Sequence, residues 1–144
     1  MIYSGTFTVR NPKTGDYRTF LIKKAQPQDH KFQPGKRLVG LLTGSDNYHD
    51  FKLFGYVDEE SERIIVFHKH RGMMGEPSHF EWFARMLNVL VAQSETDSRF
   101  TDYSVQESRT CMRCGLKLTT PESIEAGLGA ECAEKWGVEH KGAV

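Results

Sequence analysis

Three cysteines in the last quarter of the chain place the strongest constraint on its fold. Cys111 and Cys114 form a C-x-x-C pair, Gly115 follows directly, and seventeen residues separate Cys114 from Cys132. Two thiolates at this spacing reach one ion from a tight turn, and the glycine permits the positive φ that points backbone amides at the sulfurs. The distance to the third cysteine is usual between the halves of a zinc-binding pair. The pattern therefore predicts a zinc knuckle that Cys132 joins.

The fourth zinc ligand is less well defined by the sequence. A second C-x-x-C pair would place a cysteine at position 135, where the chain has Lys135. His140 is the nearest conventional ligand and is the residue that we predict. His70 or His79 from the preceding part of the chain, the Glu131 carboxylate, or a water molecule could serve instead.

Catalytic uses of the cysteines and histidines have less support. A redox C-x-x-C belongs in a thioredoxin-like βαβ setting, and a nucleophilic cysteine needs a histidine that no local sequence supplies. The segment 68–71 is the densest polar cluster and contains His68 and His70. No paired carboxylates, nucleophile with a base, or phosphate loop accompany it in the sequence. We therefore predict a protein that is not an enzyme.

The first half of the chain is predicted to be antiparallel β-structure. Apolar and polar residues alternate from Tyr3 to Arg10, and a turn-forming segment leads to a second strand from Tyr17 to Lys24. A polar loop at 27–35 follows. Three more strands are predicted: Arg37 to Thr43, Phe51 to Val57, and Arg63 to His70. Five short strands with hairpin-length connections predict a sheet or a small, partly open barrel.

A long helix follows the strands in the sequence. Ser78 and Glu81 predict a capping box at its start, and apolar residues cover more than one side of the segment 78–93. A helix of this kind is buried on two sides or docks on a partner. We predict an α+β protein in four parts: a β-rich domain at 1–72, a helix packing on it at 73–96, a linker at 97–108, and a zinc-binding module at 109–144.

The module itself is predicted to contain two short helices. The run Thr119-Thr120-Pro121-Glu122 predicts the start of one helix, with a threonine cap, Pro near the first position and Glu at the third, and glycines at 127 and 129 end it. Cys132 would then lie in the first turn of a second helix, where the helix dipole favours a thiolate. A knuckle followed by a ligand at a helix start predicts a treble-clef-like zinc knuckle.

Charge is balanced over the chain but unevenly placed. The chain has 19 Lys and Arg against 19 Asp and Glu, with a net charge of +4 in residues 1–72 and −4 in residues 73–144. Basic residues alternate with aromatic ones in the predicted strands, as in small β-domains that bind single-stranded nucleic acid. We predict nucleic-acid contacts at five basic residues: Lys23, Lys24, Lys36, Arg37 and Lys52. Two competing interpretations are that the aromatic residues form the core and that helix 78–93 docks on a protein.

The sequence also bears on the cellular compartment. The most apolar stretch, 80–92, is too short to span a bilayer and contains charged residues. An odd number of cysteines, with no apolar leader in the sequence, indicates reduced thiols rather than a disulfide framework. We therefore expect a cytoplasmic protein with no membrane partner.

The segment 111–132 resembles an uncharacterised family found in phages and in actinobacterial and plasmid-borne proteins, sometimes at the tail of helicase-like or recombination-like proteins. The shared pattern is CxxCG, then L-T-x-P-x-S, then G-x-G and a third cysteine, and this chain has it from Cys111 to Cys132. Many members have Gly-Pro before the third cysteine, where this chain has Ala130-Glu131. The resemblance implies a zinc-binding module in a small phage-type protein.

Overall fold

A six-stranded antiparallel sheet forms the body of the molecule. The computed structural model describes residues 2–26, 32–33, 35–73 and 75–140, so most of the predicted loop at 27–35 lies outside it. The strands are β1 (Gly5–Arg10), β2 (Tyr17–Lys24), β3 (Arg37–Leu42), β4 (Phe51–Asp58), β5 (Arg63–Val66) and β6 (Ser104–Glu107). Their order in the sheet is β5-β4-β3-β2-β1-β6. Within the described residues β5 and β6 are opposite edges, so the structure has the predicted antiparallel sheet and is not a closed barrel.

Helix α1 (His79–Leu90) covers one face of this sheet. It begins as predicted: the Ser78 side chain accepts from the Glu81 N–H, and the Glu81 side chain accepts from the Ser78 N–H. Cross-strand pairs share a face of a sheet, and the pairs Phe7–Phe20 and Phe20–Leu41 belong to the face under the helix. The core between helix and sheet includes Phe7, Phe20, Ile22, Val39, Phe54, Ile64, Phe80, Ala84, Met86 and Leu87. Most of the apolar surface of the predicted helix is therefore used within the chain.

Residues 97–108 are not the linker that the sequence predicts. Ser98–Phe100 form a 3₁₀ turn, Phe100 is buried in the core, and Ser104–Glu107 form strand β6. This strand pairs with β1, with Val105 opposite Val9. The polar composition is misleading because an edge strand is held by its backbone ladder and has little surface to bury.

The predicted strand from Arg63 to His70 is also shorter than expected. It ends at Val66, and His68–His70 form a 3₁₀ turn that leads towards α1. The two histidines therefore do not project from one strand face. Among the helices in the described ranges, none is long and apolar enough to cross a membrane.

The C-terminal residues form a smaller layer with its own core. Strand β7 (Arg109–Thr110) pairs with β8 (Lys117–Leu118), and α2 (Pro121–Ala126) and α3 (Ala130–Trp136) follow. The buried residues of this layer are Cys111, Leu118, Ile124, Leu128, Cys132 and Ala133. The two short helices that the sequence predicts are therefore present.

Hydrogen bonds attach this layer to the face of the sheet that α1 leaves open. Thr8 and Thr19 pair across β1 and β2 and alternate with the core residues, so they point away from α1. Both hydroxyls donate to the Thr119 carbonyl, at 2.5 and 3.3 Å. Asn47, in the loop before β4, donates to the Lys117 carbonyl at 2.8 Å. The module and the sheet are thus in direct, buried contact.

Candidate metal centre

The predicted knuckle is the turn between β7 and β8. Cys111 N–H donates to the Leu116 carbonyl at 2.7 Å, and Gly115 N–H donates to the Cys111 carbonyl at 2.9 Å. Gly115 has a φ of +78°, and no atom lies within 4 Å of the place where a Cβ would stand. The glycine is therefore needed for its backbone conformation and not for space. The turn presents Cys111 and Cys114 together.

The third thiol comes from the first turn of α3. Cys132 is the third residue of this helix, whose N-cap is Gly129. The preceding helix is capped by Thr120 and ends at Gly127, which has a φ of +73°. Met112 N–H donates to the Gly127 carbonyl at 2.9 Å, and this bond holds the knuckle against the turn between the helices.

The three thiols form one cluster. The Sγ atoms of Cys111, Cys114 and Cys132 lie within 4.8 Å of one another. Two sulfurs that each lie about 2.3 Å from a zinc ion are at most about 4.6 Å apart, so small side-chain movements bring all three to bonding distance. The three cysteines chosen from their spacing are therefore a group that can hold a metal ion.

Backbone amides favour a thiolate at Cys111. The N–H groups of Cys114, Gly129 and Arg113 point at its sulfur and lower the pKa of Cys111 to about 6, although burial opposes the shift. The Leu116 N–H acts in the same direction on Cys114, but the neighbouring thiols and burial hold the pKa of Cys114 above its usual value. Cys111 is therefore the first thiolate, and an arriving cation offsets the cost of deprotonating its neighbour.

A guanidinium group lies beside the cluster. Arg113 Nη1 is 3.5 Å from Cys132 Sγ, and this contact raises the pKa of Arg113. Three thiolates around a divalent cation carry a net charge of −1, which a neighbouring guanidinium offsets. Arg113 is thus a supporting residue of the site that the sequence pattern does not single out.

Within the described ranges no fourth Cys, His, Asp or Glu joins the three thiols. The thiols face a cleft of about 430 Å³ that Asn47, Tyr48, Ser123 and Glu131 also line. The polar groups and the open space beside the thiols fit a water molecule as a further ligand of a bound ion.

His140, the predicted fourth ligand, lies outside the thiol cluster. Its ring is buried, and its Nε2 is 3.0 Å from Ser123 Oγ. Glu131 lines the cleft but is paired with Lys135 at 3.3 Å. The rings of His70 and His79 contact Phe80, which belongs to the core on the α1 side of the sheet. The structure brings together the three cysteines and none of these histidines.

The five predicted nucleic-acid contacts are divided between the two faces of the sheet. Lys23 pairs with Leu38 on the face opposite α1, and Lys36 Nζ lies 4.0 Å from the centre of the Tyr56 ring on that same face. Lys24 and Arg37 pair with each other on the α1 side, where Lys52 also lies. Arg37 is bound to both carboxylate oxygens of Glu59, at 2.5 and 2.8 Å. The predicted set is therefore not one surface.

Sequence reasoning does not find the residues that dock the module. Alternation along the strands puts Thr8 and Thr19 on the polar side of a half-buried sheet, although both are buried. Tyr48 Oη accepts from Lys117 N–H at 2.9 Å, and Asn47 accepts from the Thr119 hydroxyl at 3.1 Å. Thr8 and Thr19 lie opposite each other in the β1–β2 hairpin, and this pairing indicates that something covers that face of the sheet. The pairing is visible only when the strand register is known, and the sequence alone does not give it.

Residues 104–137 match the model of a family of unknown function, DUF6011. The match covers β6, the knuckle, α2 and α3, and so supports the resemblance of this part of the chain to an uncharacterised family. No curated protein and no solved structure matches the chain.

Proposed function

We propose that this protein is a zinc-binding protein whose C-terminal residues form a treble-clef-like module. The observation that carries this proposal is the group of three thiols from a knuckle and a helix N-terminal turn, all within 4.8 Å. Thiolates favour zinc over the hard cations magnesium and calcium. Water in the adjacent cleft is the fourth ligand in this proposal, because within the described residues no Cys, His, Asp or Glu joins the three thiols.

Elemental analysis of protein purified without chelator tests this proposal. We expect about one zinc per chain. Cys132→Ser should lose the ion, whereas His140→Ala should keep it, because the proposed fourth ligand is water. Metal-free native protein whose three thiols all react freely would contradict the zinc site. Loss of zinc in His140→Ala would contradict only the water ligand and support His140 as the fourth one.

We further propose that the partner is nucleic acid, as single strands or as replication or recombination intermediates. Aromatic and basic side chains occur together on the sheet, and Phe32, Phe67 and Tyr56 form a row of stacked rings beside Lys36. Aromatic rings next to cationic groups bind bases and phosphates with little sequence preference. The C-terminal segment resembles a family whose members sometimes form the tail of helicase-like or recombination-like proteins. That resemblance agrees with nucleic acid as the partner.

Fluorescence anisotropy with labelled single-stranded and double-stranded DNA and RNA tests the nucleic-acid proposal. We expect binding to single strands at micromolar protein or below, weakening steeply as salt is raised. Absence of salt-sensitive binding to all of these nucleic acids would reject the proposal. It would also favour a protein partner, a host or phage enzyme docked on helix 78–93.

Such a protein partner has less apolar surface available than the sequence implies. Phe80, Ala84, Met86 and Leu87 are buried in the core of the molecule. Trp82 is the large apolar residue of the helix that remains exposed. A pull-down of a candidate partner with the unaltered protein and with the Trp82→Ala variant tests docking on this helix: a partner that docks there should be lost in the variant.

A further inference from the structure

A groove rich in arginine runs between β5 and the outer side of α1. It has a volume of about 960 Å³ and is lined by four arginines, Arg63, Arg71, Arg85 and Arg99, together with Trp82. None of these five residues belongs to the set that the sequence predicts for nucleic-acid contacts. Arginine presents a planar group with five N–H donors, which suits phosphate better than the lysine ammonium does.

Two carboxylates lie beneath the arginines and hold them in place. Glu95 binds Arg63, and Asp97 binds Arg85 at 2.8 Å and Arg99 at 2.6 Å. The carboxylate side chains are 19% and 8% exposed, whereas Arg63 and Arg85 are each 50% exposed and Arg99 is 56% exposed. Arg99 and Arg85 hold the pKa of Asp97 well below its usual range, so this carboxylate stays charged.

Because the arginines lie outside the carboxylates, the surface of the groove that faces solvent is positively charged. The four arginines stand against Glu81, Glu95 and Asp97, a net charge of only +1. Glu81 is occupied by the N–H groups of Gly72 and Ser78, and the other two carboxylates are beneath the guanidiniums. A ligand that enters from solvent therefore meets cationic groups whose geometry is already fixed, and loses less side-chain entropy on binding.

An aromatic–arginine pair forms part of the same wall. The Arg99 Cζ lies 4.6 Å from the centre of the Trp82 ring, and the indole is 38% exposed. A guanidinium stacked on an indole leaves its outer plane open to a nucleic-acid base, which has a π face of its own. Arg71 binds the Val66 carbonyl through Nε, and within the described residues no acceptor is bonded to its Nη atoms.

We infer that this groove is the contact surface for single-stranded nucleic acid, with phosphates on the arginines and a base on the Arg99–Trp82 pair. The inference rests on the proposed nucleic-acid function and locates it on the α1 side of the molecule. Charge complementarity favours an anionic polymer, and the stacked pair favours one with planar bases over an acidic polypeptide.

Anisotropy titrations of labelled oligothymidylate over a range of salt concentrations test the location. The double variant R71Q/R85Q removes two charges and leaves Glu95 with Arg63 and Asp97 with Arg99. The matched control K13Q/K135Q removes two exposed charges that lie outside the groove, one in the turn between β1 and β2 and one on the surface of α3. The slope of log K against log salt is negative, and loss of two phosphate contacts should reduce its magnitude by about 1.4, since each contact to a single strand contributes about 0.7. The control should keep the slope of the unaltered protein.

Each other result has a defined meaning. A shallower slope in the control alone, or the same change in both variants, would overturn the groove as the contact surface. Either result would leave the nucleic-acid function standing. Absence of binding by the unaltered protein would reject both. Equal competition by polyglutamate would assign the groove to acidic polypeptides and overturn the inference. If R71Q/R85Q does not fold, R71Q alone is the test: a slope shallower by about 0.7 supports the groove, and an unchanged slope overturns it.

Discussion

At the scale of single residues, the charge on Arg113 sets the environment of the thiol cluster. It sits between the two knuckle cysteines and donates to the third one, Cys132. Groups that hydrogen-bond to metal ligands orient those ligands and stabilise their charged form. The knuckle thus carries two of the three thiols and a counter-charge for them in one short turn.

Replacing Arg113 with glutamine should weaken zinc binding by about tenfold or more, the usual range for such supporting groups. Competition with a chromophoric chelator measures the change. Lys135→Gln is the matched control, because Lys135 also lies in the module but pairs with Glu131 on the surface of α3. Equal losses in the two variants would mean that net charge, and not the bond to Cys132, supports the ion.

Single residues also mark where prediction from the sequence succeeds and fails. The cysteine cluster and the Ser78 cap follow from local spacing, and the structure has both. The position of His140 depends on the direction of the chain after α3. Gly137 has a φ of +66°, Val138 N–H bonds back to the Ala133 carbonyl, and His140 meets Ser123 of α2. Spacing alone does not reveal such a reversal.

At the scale of elements, a side chain from α1 occupies the edge of strand β5. Asn88 is buried, accepts from the Ile64 N–H at 2.6 Å and donates to the Ile64 carbonyl at 3.0 Å. Its amide therefore imitates the next strand of the sheet. Strand β6 is the opposite case, since its pairing with β1 is a long-range property that polar composition conceals. Periodicity predicts strands that bury a face, and it is weakest at such an edge.

Asn88→Ala should lower the free energy of unfolding by about 2–4 kcal/mol, because it leaves a buried N–H and a buried carbonyl without partners. Urea unfolding measures this. Asn11→Ala is the control: Asn11 also makes two side-chain hydrogen bonds, but at a turn where water can replace them, and should cost less than about 1 kcal/mol. Similar losses at both positions would show that the strand edge has no special dependence on Asn88.

At the scale of the whole molecule, the Thr119 carbonyl joins the module to the sheet. It accepts from two buried threonines of different strands, and the adjacent Thr120 caps α2. The L-T-x-P part of the motif therefore serves docking and helix initiation at once. The motif can be recognised in the sequence, but its contact with β1 and β2 cannot, because those strands lie about a hundred residues away.

Thr8→Val should destabilise the protein by about 1–2 kcal/mol, since it keeps the side-chain shape but removes the 2.5 Å bond to Thr119. Hydrogen exchange should become faster in β1 and in the module together. Thr101→Val, which removes an exposed hydroxyl bonded to the Ser98 carbonyl, should change stability by less than about 0.5 kcal/mol. Faster exchange confined to the module would mean that the sheet is stable without this contact.

The place of β6 beside β1 has a consequence for the order in which the fold is assembled during synthesis. Strand β1 is made before the other strands of the sheet, but both its outer neighbour and the module that covers Thr8 follow about a hundred residues later. At about 5–20 residues per second, the chain between these segments takes on the order of 5–20 s to make. Throughout that interval the nascent chain carries one unpaired β1 edge, the feature that invites pairing with other chains. Translation speed and chaperone access therefore bear on the yield of this protein more than on its final stability.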